Sequence, residues 1–129
     1  MALTEQRDEL TLLRSLLDVI LEMLPGVEAA LIWLVPGTER GQWIKDETCA
    51  LPPPMFPIDD GLLAAAASLD SAAPDKQLDL DGQSYLISSL GILEGRRKLI
   101  IIRQPKWSSS DLRTAQGMVR IHANYANTV

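Results

Sequence analysis

The chain has 129 residues, the size of one domain that buries roughly two thirds of its unfolded surface without staples. Its 12 basic and 17 acidic residues leave a net charge of -5, which argues against sequence-independent nucleic-acid binding, because that affinity rests on basic surface. One cysteine, Cys49, excludes an internal disulfide framework and a cysteine-rich metal site, and neither a cofactor nor a resident metal is expected.

The first residues, Met1 to Glu9, are charged and lack the apolar core of a signal peptide. The apolar run from Leu16 to Val35 is broken by Asp18, Glu22, Pro25-Gly26 and Glu28, so it does not cross a bilayer as one helix. A cytoplasmic location with no membrane contact is therefore expected.

Thr4 is positioned to cap a first helix that Pro25-Gly26 ends. Leu10, Leu13, Leu17, Ile20 and Leu24 follow 3-4-3-4 spacing and form one seam along it; Leu12, Leu16, Val19 and Met23 form a second. One seam docks a helix on a sheet, whereas surplus apolar surface usually meets another chain. The doubled seam is read either as one broad face packed within the chain or as a homodimer contact. The second reading is favoured, with Val119 and His122 of the last helix joining it.

The run Val27 to Val35 is almost wholly apolar, the pattern of a strand covered on both faces. Pro36-Gly37 turns the chain, and Gln42 to Ala50 reads as a more polar strand near a sheet edge. Leu51-Pro52-Pro53-Pro54 is an extended connector, because proline lacks the backbone donor that strand or helix interiors require. Asp59 or Asp60 then caps a short helix, Gly61 to Ser71, whose run Ala64 to Ala67 permits close approach to the layer beneath.

Pro74 to Gln83 reads as a polar loop, with a short strand at Gln77 to Leu80 as the other reading. Tyr85 to Leu93 and Lys98 to Ile102 form a hairpin around the turn Glu94-Gly95-Arg96-Arg97. Ser108 and Asp111 make a capping box for the last helix, and Trp107 is placed to staple onto Leu112. Leu112, Ala115, Val119, His122 and Ala126 continue as a seam, flanked by Met118, Ile121 and Tyr125. The expected fold is a single α+β domain over residues 1–129. An N-terminal helix (1–25) and a C-terminal helix (108–129) cover one face of an antiparallel sheet, and the segment Leu51 to Gln83 covers the other.

Asp60-Gly61 opening a small-residue helix before Pro74, and the hairpin followed by Trp107, Ser108, Asp111 and Leu112, resemble the GAF sensor domain. The likeness runs loosely from Leu10 to Val129 and rests on the order of these motifs. It implies a ligand pocket between the sheet and its covering segment, with Trp33, Met55, Phe56, Tyr85 and Ser89 as candidate lining for an unidentified small molecule. It also implies an output domain in the same, longer protein, such as a GGDEF diguanylate cyclase, a phosphodiesterase or a histidine kinase. The chain departs from the family pattern at Lys98, where a glycine is common, and it lacks the cyclic-nucleotide signature. Cys49 is followed by Ala50 rather than the histidine of bilin-binding forms, and a single cysteine rules out the methionine-sulfoxide-reductase form.

No nucleophile–base set or phosphate-binding glycine loop appears, so no catalytic residue is nominated. His122, the only histidine, is read as a packing or interface residue, since one histidine does not make a zinc site. Cys49 is read as a small apolar strand residue. Asp59-Asp60 and Asp79…Asp81 are assigned to capping and turn formation. Arg96, Arg97 and Lys98 are read as solvated turn charges, with an acidic partner surface as the other reading. The functional expectation is a non-catalytic regulatory domain that dimerises and relays a signal; the alternative is a ligand-free interaction module with a filled pocket.

Overall fold

The computed structural model describes residues 2–46, 53–69, 75–93 and 95–128, with side-chain surroundings for 11–46, 53–69, 75–92 and 95–123. Helix α1 spans Ala2–Met23, strand β1 Glu28–Pro36, β2 Trp43–Lys45 and helix α2 Asp60–Ala67. Strands β3 (Asp75–Leu80), β4 (Gln83–Leu93) and β5 (Arg96–Gln104) follow, and α3 (Ser109–Thr128) closes the chain. The five strands form one antiparallel sheet in the order β2-β1-β5-β4-β3.

Strand β5 lies at the centre because its apolar run has both faces to bury. Leu99, Ile100, Ile101 and Ile102 are all at 0% exposure, and alternation sends them to opposite sides. Ile100 and Ile102 join Ala29, Leu31, Trp33, Leu86 and Leu90 under α1 and α3. Leu99 and Ile101 join Ala30, Ile32, Leu34, Phe56 and Ile87 under α2. The long helices thus share one face, and α2 covers the other, where Ala65 and Ala66 are buried as small side chains against the sheet.

The helix ends follow local chemistry. The Asp59 carboxylate accepts a hydrogen bond from the Leu62 amide at 2.9 Å and caps α2. The Ser108 hydroxyl accepts from the Asp111 amide at 3.0 Å and caps α3. The return half of that box is absent, because Asp111 instead accepts from the Gln104 side-chain amide at 3.3 Å. Trp107 and Leu112 both pack against the helix-side core, while the Trp107 indole N–H donates to the Ser84 carbonyl at 3.0 Å. Gly26, at φ 90°, adopts the left-handed conformation that ends α1.

Several sequence expectations are corrected. Helix α1 begins at Ala2, so Thr4 lies inside it and does not cap it. Described β2 is three residues long, with the Asp46 amide donating to the Trp33 carbonyl just beyond it. Helix α2 ends at Ala67 rather than Ser71. The short strand allowed at Gln77 to Leu80 is present and longer, and the loop around it is correspondingly shorter: Asp75–Leu80 pairs with β4 through a tight turn at Asp81 and Gly82, both at positive φ. The covering segment therefore stops before β3, which extends the sheet instead. Arg96 and Arg97 are strand residues opposite Leu93 and Ile92, so the second hairpin turn is tighter than expected. A bulge between Ser89 and Gly91 shifts the register there. Cys49, Glu94 and the side chains of Leu10, Tyr125 and Ala126 lie outside the described residues.

Candidate functional site

The five candidate pocket residues do not converge. Trp33 lies on the α1–α3 face, whereas Phe56 and Tyr85 lie under α2, with the sheet between them. Phe56 and Tyr85 meet edge to face at 5.8 Å and 62°, a favourable aromatic geometry that also closes the space between them. Met55 is exposed, and its sulfur is 3.5 Å from the Ala29 amide. Ser89 is half-buried at the bulge, where its hydroxyl accepts from the Gly91 amide at 3.2 Å.

Around these residues, cations lie against rings. The Arg103 guanidinium sits 4.6 Å from the Phe56 ring centre and donates to Glu28 at 2.8 Å. Hydrogen bonding to Glu28 and to Tyr85 holds Arg103 even more firmly protonated than usual. At the other end of β5, Arg97 lies 4.7 Å from the Trp43 ring centre and donates to the Ala67 carbonyl at 3.1 Å and to the Leu69 carbonyl. Arg96 is 5.2 Å from the Trp33 ring centre and pairs with the buried Asp46 at 3.2 Å. Lys98, 6% exposed, approaches the same indole at 5.4 Å. These three charges are therefore structural contacts and not solvated turn residues. Each ring lies outside the hairpin in sequence, which is why the hairpin alone does not reveal its partner.

The polar core concentrates beside them. The Trp33 indole N–H and the Ser88 hydroxyl are buried and find no hydrogen-bond partner among the described residues. Burial pushes the Lys98 amine below its ordinary pKa. His122, half-buried on α3, is also pushed down, by burial first and by the positive Lys98 second. A base with a depressed folded pKa favours the folded state when neutral, since the unfolded chain then binds protons more readily. Stability is expected to be full above the ordinary histidine value of about 6.5 and to fall as pH drops through the lower folded value. His122→Gln should flatten the acid limb of a stability–pH curve measured by urea unfolding. An unchanged slope would mean that His122 does not contribute to it.

The residues nominated for the dimer contact are largely internal. Leu13, Ile20, Leu24 and Val119 are buried in the chain's own core, Leu17 packs against that core, and His122 is half-buried. The second seam divides: Leu16 is buried, while Val19 and Met23 are 44% and 59% exposed. Ile121 on α3 is 71% exposed. A contact between copies would thus fall on residues beside the nominated ones, because the nominated seam already faces the sheet.

An open cleft of about 540 Å³ lies where the β3–β4 turn meets the β5–α3 loop. Gln77, Asp79, Asp81, Ser84, Lys106 and Trp107 are in its lining. In sequence the Asp79…Asp81 pair reads as turn chemistry and Trp107 as a staple; only the fold places them side by side. Among the described residues no group of three His, Cys, Asp or Glu side chains is arranged to hold a metal ion. None of the described helices is long and apolar enough to cross a membrane. No protein-family model matches the chain, and no curated protein or solved structure matches it either.

Proposed function

We propose that this chain is a non-catalytic regulatory module of the GAF-like kind, which associates with a second copy through its long helices and relays a partner's signal to an output domain. The order helix, two strands, helix, three strands, helix, folded on a β2-β1-β5-β4-β3 sheet, supports the GAF-like reading. Of the two modes available to such a module, the ligand-free one is better supported. The space between the sheet and α2, where a sensed molecule would lie, is filled by the chain's own Phe56, Leu62, Ile87, Leu99 and Ile101, all nearly or fully buried.

The observation that carries the proposal is the contrast between that filled interior and the outer faces of the long helices. Val19, Met23 and Ile121 remain exposed on α1 and α3 although the same helices bury a full apolar seam inward. Large apolar side chains beyond what a helix needs for its own core fit association with another surface. A change in how two copies pack these helices would be the relay. A partner shifts that equilibrium only by its differential affinity for the two arrangements.

Sedimentation velocity across a concentration series tests this directly. The wild type is expected to dimerise, and the double variant Met23→Glu, Ile121→Glu to be monomeric with unchanged circular dichroism. These sites are chosen over the buried seam so that loss of the dimer is not confused with loss of the fold. A wild type that stays monomeric at every concentration would refute self-association.

A further inference from the structure

Strand β3, Asp75–Leu80, is an outer strand of the sheet, paired with β4 on its inner side. Its other edge meets no strand among the described residues, and such an edge is a template for an additional extended chain. Asp75, Gln77 and Asp79 stand opposite Ser88, Leu86 and Ser84, on the face that carries α1 and α3. Lys76, Leu78 and Leu80 occupy the other face, where the two leucines pack toward the α2 core.

The acidic row leads into the cleft of about 540 Å³, where Asp79 and Asp81 share the lining with Trp107 and with one cation, Lys106. Asp75, Asp79 and Asp81 have no ion-pair partner among the described residues. Ser84, 9% exposed, also lines the cleft. An edge that pairs with no described strand, carboxylates with no described ion-pair partner along it, and an indole beside a cleft at its C-terminal end thus occur on one strand.

We propose that the β3 edge and this cleft dock an extended, basic segment of a partner protein, which adds to the sheet beside β3. Lysine or arginine side chains at alternate positions lie across from Asp75 and Asp79, because opposite charges on neighbouring strands favour pairing. One such cation enters the cleft between the Asp79 and Asp81 carboxylates and the Trp107 ring. A second copy of this chain is the wrong occupant. Antiparallel pairing of two β3 strands about Gln77 sets Asp75 opposite Asp79, and like charges directly opposite one another disfavour that register. The surface uses none of the residues invoked for self-association, so the two proposals fail independently.

The test is a titration of the isotope-labelled intact protein with a short peptide alternating lysine and threonine, followed by NMR, with a glutamate–threonine peptide alongside. Amides of residues 75–80 and the Trp107 indole N–H are expected to shift with the lysine peptide only, and less so as salt is raised. The double variant Asp75→Asn, Asp79→Asn should weaken binding by roughly fivefold to tenfold. Lys76→Ala, on the opposite face, should leave binding unchanged, and each variant's own spectrum reports whether it is folded. Equal binding of the glutamate peptide, shifts confined to α1 and α3, unchanged affinity in the double variant, or no shift at millimolar peptide would each overturn the proposal.

Discussion

Arg97→Ala is expected to lower stability by about 2–3 kcal/mol and to loosen α2 more than the rest of the fold. One guanidinium joins three elements: it sits on β5, lies over Trp43 of β2, and donates to the Ala67 and Leu69 carbonyls at the end of α2. The last carbonyls of a helix have no intrahelical donor, so an external one satisfies groups that are otherwise left over. A hydrogen bond from a charged donor contributes about 1.5–3 kcal/mol, and contact with an indole adds about 0.5–1. Arg97→Lys should recover only part of the loss, since an ammonium lacks the planar fork that spans two carbonyls while lying flat on a ring. Urea unfolding gives the total, and hydrogen exchange of residues 60–67 shows where it acts. A variant within about 0.5 kcal/mol of wild type, with unchanged exchange in α2, would show that Arg97 is not the tether.

Ile101→Ala should cost more, about 3–4 kcal/mol, because it opens a cavity in the middle of the central strand. Ile101 is at 0% exposure, flanked by Ala30 on β1 and Ile87 on β4 and roofed by the α2 layer. Close packing leaves little room to collapse around the missing atoms. Ile101→Val removes a single methylene and should cost about 1 kcal/mol. Ile92, 58% exposed on β4, is the control: Ile92→Ala should stay within about 0.5 kcal/mol of wild type. Chemical denaturation of all three orders them. If Ile101→Ala cost no more than Ile92→Ala, the space under α2 would not be the filled core on which the ligand-free reading stands.

Much of the architecture was legible residue by residue. The apolar run of β1 and the run Leu99 to Ile102 announced strands buried on both faces, and the seams of α1 and α3 announced helices on a sheet. Asp59 and Ser108 announced where helices begin, since a side chain capping an amide three residues on is a local interaction. Strand β3 is faint in the sequence because DKQLDL has only two apolar residues. They suffice because an edge strand buries one face, toward α2, while Asp75, Gln77 and Asp79 alternate to the other.

The candidate site was much less legible. Trp33 and Tyr85 both read as aromatic strand residues, and nothing in either neighbourhood tells which face of the sheet each occupies relative to the other. Strand pairing decides that, and it sends them to opposite sides. The cleft beside Trp107 was hidden for a similar reason, since β3, the β3–β4 turn and the β5–α3 loop meet only after the sheet has assembled.

By itself, the sequence determined most of the element types, the caps of α2 and α3, the two-faced burial of β1 and β5 and the charge balance, all of which depend on neighbours within a few positions. Only the tertiary structure decided the strand order, the division of the core between α2 and the long helices, and the partners of Arg96, Arg97 and Lys98. In sequence those three cations are indistinguishable from a solvated hairpin tip. They become buried or stacked because antiparallel pairing brings Trp33 opposite Lys98 and packing brings Trp43 beneath Arg97, contacts that no local pattern encodes.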